Sequence, residues 1–187
     1  MIPDEAGALA LHEKYGSNQV VVKHCKTVAR VARRLAEAAR ASGKAIDQEA
    51  VYAAALLHDI GRSRTQDVSH GVVGASILEK EGVDSKVVEM VRRHVGAGIT
   101  RDEARRLGLP DFDYIPRTLE ERIVCFADKM VDSDRVRPFE LEVKRFINKG
   151  HDVSRLLALK EGLSRDIGKD PESIVLNNVK ESGGDAR

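Results

Sequence analysis

The residues able to carry chemistry in this chain are its histidines and their acidic neighbours. Six histidines stand at His12, His24, His58, His70, His94 and His151. Two are followed by aspartate, giving His58-Asp59 and His151-Asp152. The chain has 15 aspartates, so such a dipeptide carries little weight without its context. His58-Asp59 closes the apolar run Val51-Tyr52-Ala53-Ala54-Ala55-Leu56-Leu57. A carboxylate at the end of a buried helix needs a partner, because an unpaired buried charge is expensive. A metal ion supplies one. His151-Asp152 instead follows Gly150, and its aspartate reads as a helix N-cap, so that pair is expected to be structural.

Two further residues fit the first pair. His24 shares a helical stripe with Val28 and Val31, and Asp128 lies between Val124, Ala127 and Val131. Alone, His24 reads equally as a core histidine bonded to a carbonyl, and Asp128 as a surface or capping carboxylate. Together with His58-Asp59 they make a mixed nitrogen and oxygen set that suits Mn²⁺, Fe²⁺, Co²⁺, Ni²⁺ or Zn²⁺ better than Ca²⁺. His70 begins a helix and His94 ends one, where a histidine also interacts well with the helix dipole. His12 has no partner motif and is expected at the surface.

The order His24, His58-Asp59, Asp128 resembles the HD superfamily of metal-dependent phosphohydrolases. His58-Asp59-Ile60-Gly61 is similar to its HDIG variant, and Ala127-Asp128-Lys129 to its closing motif. The resemblance covers about Ser17 to Asp132, and the whole chain resembles small archaeal HDIG proteins. It implies a compact helical bundle with His24, His58, Asp59 and Asp128 as metal ligands. His70-Gly71-Val72-Val73-Gly74-Ala75 resembles the motif of HD proteins that hold two metals, with His94 in the place of a further ligand. Asp59 would then bridge two ions, and two are favoured over one.

The activity implied is hydrolysis of a nucleotide or other small phosphate ester by metal-activated hydroxide. Asp59, Lys129 and Arg62 are the expected catalytic residues, the two cations because each stands beside a ligand. Arg64, Arg92, Arg93 and Arg101 read mainly as solvated charges. Asp132 reads as a base behind the ligands or half of a surface ion pair. The histidine pattern resembles that of enzymes splitting dinucleoside tetraphosphates. It also resembles cyclic-dinucleotide phosphodiesterases, but Gly-Tyr-Pro is absent and Val95 stands where that group has a second histidine. An HD-type di-iron oxygenase and a non-catalytic nucleotide-sensing module are the alternatives.

Helices must position these residues. Apolar residues recur in steps near three and four from Asn18 to Arg40, with Ser17 as the expected cap and Gly43 past the end. Asp47 caps the central apolar helix, and a helix apolar on all sides belongs in the core. Ser69, and Asp84 or Ser85, open the next two. Thr100 with Glu103, and Thr118 with Glu121, form capping boxes. Pro138 is expected in the first turn of a helix reaching Asn148. Asp152–Asp166 and Pro171 to about Lys180 also read as helical, with a frayed tail from Ser182 to Arg187. The fold class is all-α, with eight to ten helices in a single HD domain over 1–187. Its core spans about 17–132, and helices over 138–182, without identifiable chemistry, pack on it or form an interface.

Composition bounds the rest. The 187 residues are 33% charged with a net charge of +1, which removes the argument for a strongly basic nucleic-acid binder. Aromatics are 4%, with no Trp, which argues against a base-stacking platform. A nucleic-acid partner is therefore not expected. The partner expected is a small phosphorylated substrate, with a homo-oligomer possible. Cys25 and Cys125 make neither a disulfide scaffold nor a Cys-x-x-Cys zinc site, and read as core residues. Neither a signal peptide nor a membrane-length apolar run is visible, so a cytoplasmic protein is expected.

Overall fold

The computed structural model describes the backbone of residues 1–182 and the side chains of 1–177. The expected frayed tail lies outside these residues beyond Ser182, which itself closes the last helix. Helix α1 spans Glu5–Lys14, and α2 spans Gln19–Ala41. On α2, Val28, Val31, Ala32, Leu35, Ala36 and Ala39 are buried, while Lys23, Arg30, Arg33, Glu37 and Arg40 are exposed. Its cap is Asn18, whose side chain accepts from the Val20 N–H at 2.8 Å. The expected cap, Ser17, lies one residue too early, and its hydroxyl is taken by His12.

Helix α3, Gln48–Leu57, is the centre of the bundle and touches α1, α2, α5 and α7. Asp47 caps it by accepting from the Ala50 N–H at 3.1 Å. Beyond His58-Asp59 the chain tightens into a 3₁₀ turn, Ile60–Ser63. Helix α4 (His70–Lys80) packs on this turn, and α5 (Ser85–Arg92) packs on α4 and α3. Gly61 makes the contact possible. A Cβ on it would lie 2.0 Å from the His70 carbonyl oxygen and 2.7 Å from the Gly74 nitrogen. A Cβ on Gly71 would meet Val95 Cγ2 at 2.8 Å, so α4 seats as closely on the segment after α5.

Helices α6 (Arg101–Arg106) and α7 (Leu119–Lys129) begin with both expected capping boxes complete. All-α is the right class, with one addition. Strands β1 (Val131–Asp132) and β2 (Arg135–Val136) form a small antiparallel hairpin against α2. Ser133 turns it with φ 56°. Helices α8 (Phe139–Asn148), α9 (Ser154–Ile167) and α10 (Pro171–Ser182) complete the described chain. Pro138 is the N-cap of α8 and not a first-turn residue. α9 starts at Ser154, whose N–H is accepted by the Asp152 carboxylate at 3.0 Å. α9 packs on α7 and α2, and α10 on α2 and α9.

The surface expectation for His12 is wrong. His12 is 2% exposed, in the last turn of α1 where it meets α3. Its Nε2 donates to the Leu56 carbonyl at 2.8 Å, and its Nδ1 accepts from the Ser17 hydroxyl at 2.8 Å. Leu56 is near the end of α3, where carbonyls lack an intrahelical partner. His12 is thus a polar tie between two helices.

Candidate metal centre

Five elements converge at one end of the bundle: His24 comes from α2, His58 and Asp59 from the end of α3, His70 from α4, His94 from just after α5, and Asp128 from α7. His24 Nε2 lies 3.0 Å from Asp128 Oδ1, and His58 Nε2 lies 3.4 Å from the same oxygen. Asp59 turns its oxygens to opposite sides. Oδ2 is 3.7 Å from His58 Nε2, while Oδ1 is 3.3 Å from His70 Nε2 and 3.5 Å from His94 Nε2. Every sequence-predicted ligand is therefore in the cluster. The capacity for an ion falls into overlapping groups, including His24-His58-Asp59 and Asp59-His70-His94.

The imidazoles are aimed by their own backbone. The Nδ1 of His58 donates to the Ala55 carbonyl at 2.8 Å, that of His70 to Asp67 at 2.7 Å, and that of His94 to Val91 at 2.7 Å. Each is a bond to the carbonyl three residues earlier. His24 Nδ1 donates to Ser133 of the hairpin at 2.8 Å. A carbonyl can only accept, so each Nδ1 carries a proton, and in the neutral ring the Nε2 presents a lone pair. All four Nε2 atoms face the cluster. Fixing the far nitrogen in this way sets tautomer and ring orientation for a metal.

These residues fit a cation and fit poorly without one. His70 Nε2 and His94 Nε2 are 3.1 Å apart, two acceptors facing each other. The buried His58 Nε2 and Asp59 Oδ1 have no hydrogen-bond partner. Such orphaned buried groups are rare and call for an explanation such as an ion.

Electrostatics agrees. Burial opposes charge on Asp59, but His58 and His94 outweigh it and hold the carboxyl below the usual range. Burial is likewise outweighed at Asp128 by Lys129, His24 and His58. Burial, with His94, pushes His70 down to about 3, and burial lowers His94 too, so both stay neutral. At His24, burial is more than offset by Asp128, and the pKa rises. His58 also rises, with Cys25, Asp59 and Asp128 outweighing burial. Two ionised carboxylates in this enclosure thus draw positive charge, and an ion would supply it in place of protons.

Two cations accompany the cluster as expected. Lys129 Nζ sits 2.5 Å from Asp128 Oδ2, and Arg62 Nε sits 2.7 Å from Asp59 Oδ2. Arg62 also reaches His70 Nε2 at 3.3 Å, donating to its lone pair. The other arginines near His94 are committed elsewhere, Arg92 to Glu79 and Glu89, Arg93 to Glu89 and the Asp113 and Ile115 carbonyls, Arg101 to Asp111. Tyr114 is buried in a small satellite core with Ile99 and Ala104, so its loop is a connector. Cys25 and Cys125 are buried and free.

The cluster floors an open cavity of about 520 Å³. Its far wall is a surprise from the sequence, because Glu142, Arg145, Phe146 and Lys149 of α8 and the following turn, with His151, line it. The segment expected to carry no chemistry therefore faces the centre. Periodicity had shown a helix there, but only the tertiary path brings it over the cavity. Asp132, on the hairpin, lines the cavity rim and is exposed.

The fold and site define a class: an all-helical bundle whose helix ends gather histidines and aspartates around a cation-binding centre. The chain belongs to the HD domain family, whose model matches residues 21–131. It is 41% identical over 176 residues to a tRNA (cytidine(56)-2'-O)-methyltransferase of Picrophilus torridus, covering 93% of this chain and 50% of that protein. It is 43% identical over 148 residues to an uncharacterized protein of Methanocaldococcus jannaschii, covering 77% of this chain and 88% of that one. The chain spans about half the length of the methyltransferase relatives it matches. In fold it is similar to the HD domain of the L. monocytogenes phosphodiesterase PgpH, solved with cyclic-di-AMP, with TM-score 0.61 and 15% identity over 95% of this chain and 99% of that one.

Proposed function

We propose that this chain is a metal-dependent phosphohydrolase acting on nucleotide-type phosphate esters at a two-ion centre. One observation carries the reading: Asp59 directs one oxygen to His58 and the other to His70 and His94, and the buried His58 Nε2 and Asp59 Oδ1 have no hydrogen-bond partner. His24, His58, Asp59 and Asp128 would hold one ion, and Asp59, His70 and His94 the other. Divalent ions held by these residues would supply Lewis-acid polarisation of phosphoryl oxygens and a water activated near neutral pH.

The chain's own residues do the rest. Arg62 holds the orientation of Asp59 and keeps three further N–H donors near the cavity, where a phosphoryl oxygen gains charge in the transition state. Lys129, only 8% exposed at its side chain, offsets the charge of Asp128 and borders the same space. The cavity is of nucleotide size and open at one side, which favours an extended substrate. The relatives named as tRNA methyltransferases and the neighbour solved with cyclic-di-AMP both support a nucleic-acid-derived substrate.

The test is metal analysis followed by a phosphate-ester and nucleotide screen with Mn²⁺, Co²⁺, Ni²⁺ and Mg²⁺. His58→Ala and Asp59→Ala should each abolish turnover. Equal rates in wild type and both variants refute the site. Nucleotide binding without turnover in metal-replete protein identifies a sensor, and an oxygen requirement with bound iron identifies an oxygenase.

A further inference from the structure

A second cavity lies beside the first, on the other side of the β1–β2 hairpin. The two share α2 as a wall. Val20, Val21 and His24 border the metal-centre cavity, whereas Thr27, Arg30, Val31 and Arg34 border a second space of about 400 Å³. The hairpin is the ridge between them. Val131, Asp132 and Ser133 face the first cavity, and Asp134, Arg135 and Val136 face the second. The ridge is pinned to α2 from both sides, by His24 Nδ1 to the Ser133 carbonyl at 2.8 Å and by the Thr27 hydroxyl to the Asp134 carbonyl at 3.2 Å.

The second cavity is basic. Arg30, Arg34 and Arg135 line it against one acid, Asp134. Among the described residues none of the three arginines is in an ion pair, and the bond of Arg30 to the Thr27 hydroxyl at 2.8 Å is their one hydrogen bond. Lys23 and Lys26 continue the same stripe of α2 towards the metal centre, at a spacing of three and four, and are equally without ion pairs. Elsewhere most arginines near the centre are spent on carboxylates. Net charge of +1 conceals this concentration.

We propose that Arg30, Arg34 and Arg135 form a subsite for a remote phosphate of a single-stranded oligonucleotide whose scissile phosphate sits at the metal centre. The inference rests on the phosphohydrolase reading for the direction of the strand, and extends it to a substrate class. Along α2, six to ten residues separate His24 from Arg30 and Arg34, about 9–15 Å at helical rise. A stacked strand advances about 3.4 Å per nucleotide, so the subsite meets a phosphate about three to four nucleotides from the centre. Lys26 lies along the helix between the two sites. A nucleoside monophosphate, with its one phosphate, cannot occupy both sites. Recognition here is electrostatic and independent of base identity, so the scarcity of aromatic residues is no obstacle.

The experiment is equilibrium binding of fluorescent octanucleotides, one RNA and one DNA, with hydrolysis-resistant phosphorothioate linkages, to the full chain over a range of salt. The proteins are wild type, the triple variant Arg30→Ala/Arg34→Ala/Arg135→Ala and the triple variant Arg30→Lys/Arg34→Lys/Arg135→Lys. Each phosphate contact contributes a slope of about −0.7 in log K against log salt. The alanine variant should lose about 0.7 from the slope, which makes about a 2.6-fold change in how far affinity falls between 50 and 200 mM salt. The lysine variant should keep the wild-type slope. Affinity should rise from dinucleotide to about pentanucleotide and then level. Tighter binding of one octamer names RNA or DNA as the strand. Equal slopes in wild type and alanine variant, or no binding by wild type, overturn the subsite. The two readings fail separately. Strand binding through these arginines without cleavage of any phosphate ester supports the subsite and refutes the hydrolase, whereas cleavage of a small phosphodiester with unchanged slopes does the reverse.

Discussion

Gly61→Ala should remove one ion of the proposed two-ion centre while leaving most of the bundle standing. The added Cβ would lie 2.0 Å from the His70 carbonyl oxygen and 2.7 Å from the Gly74 nitrogen, both backbone atoms of α4. Neither can rotate away, so the first turn of α4 must retreat by about 1 Å or more to restore ordinary contact distances. Overpacking of this kind costs about 1–3 kcal/mol. In a chain of this size that lowers Tm by about 2–12 °C. The functional effect is larger than the thermal one. Metal sites tolerate ligand displacements of about 0.2 Å, and His70 rides on the turn that moves. His24, His58 and Asp128 are on other elements and keep their places. Metal content measured on the folded, dialysed protein should therefore fall from two ions per chain to one. Retention of two ions at the wild-type Tm would show that the contact is not what seats His70, and would refute the reasoning.

Three further perturbations test other parts of the structure. Metal affinity should fall as pH is lowered from 8 to 6. Asp128 raises His24, and Cys25, Asp59 and Asp128 raise His58, above their ordinary value, so protons compete with the ion from a higher pH than for a free histidine, by up to about tenfold per pH unit for each proton displaced. Titration calorimetry in two buffers should show proton release on binding, and its absence would count against these ligands. His12→Ala should cost about 1–3 kcal/mol by leaving the Leu56 carbonyl and Ser17 hydroxyl without their partner, with metal content unchanged. Thermal unfolding and metal analysis together check it, and loss of metal would place His12 in the centre after all. Lys129→Met leaves Asp128 without its buried ammonium partner, a loss of about 3–5 kcal/mol unless an ion compensates. The gap in Tm between metal-loaded and chelated protein should therefore widen over wild type, and an unchanged gap would be the contrary result.

The helical pattern and its punctuation were legible because caps and periodicity are local. Asp47, both capping boxes and the apolar stripe of α2 do in space what their spacing announces. The ligand residues were legible because His58-Asp59 closes an apolar helix, His24 and Asp128 stand among core-facing residues, and the family resemblance adds His70 and His94. His12 misled because its partner, the Leu56 carbonyl, is 44 residues away and leaves no mark on the local sequence. The hairpin was missed since strands of two residues are too short for alternation to register. The cavity wall on α8 and the arginine cluster depend on which surfaces tertiary packing brings together. Arg30 and Arg34 are ordinary solvent-face residues of a helix until Arg135 arrives from a hairpin a hundred residues later. Whole-chain charge averages such a cluster away.

Three of the cluster's histidines take their bearing from a carbonyl three residues back in their own chain segment. Each such segment is a self-contained mount, in which the ring is oriented by its own backbone. The tertiary fold then has only to deliver the mounts to one place. It follows that the centre and its surroundings can diverge at different rates. A wall such as α8 or the hairpin can be replaced, lengthened or fused to another domain without turning a single one of these three rings. A lineage can in this way retain one inorganic apparatus while exchanging the molecules offered to it.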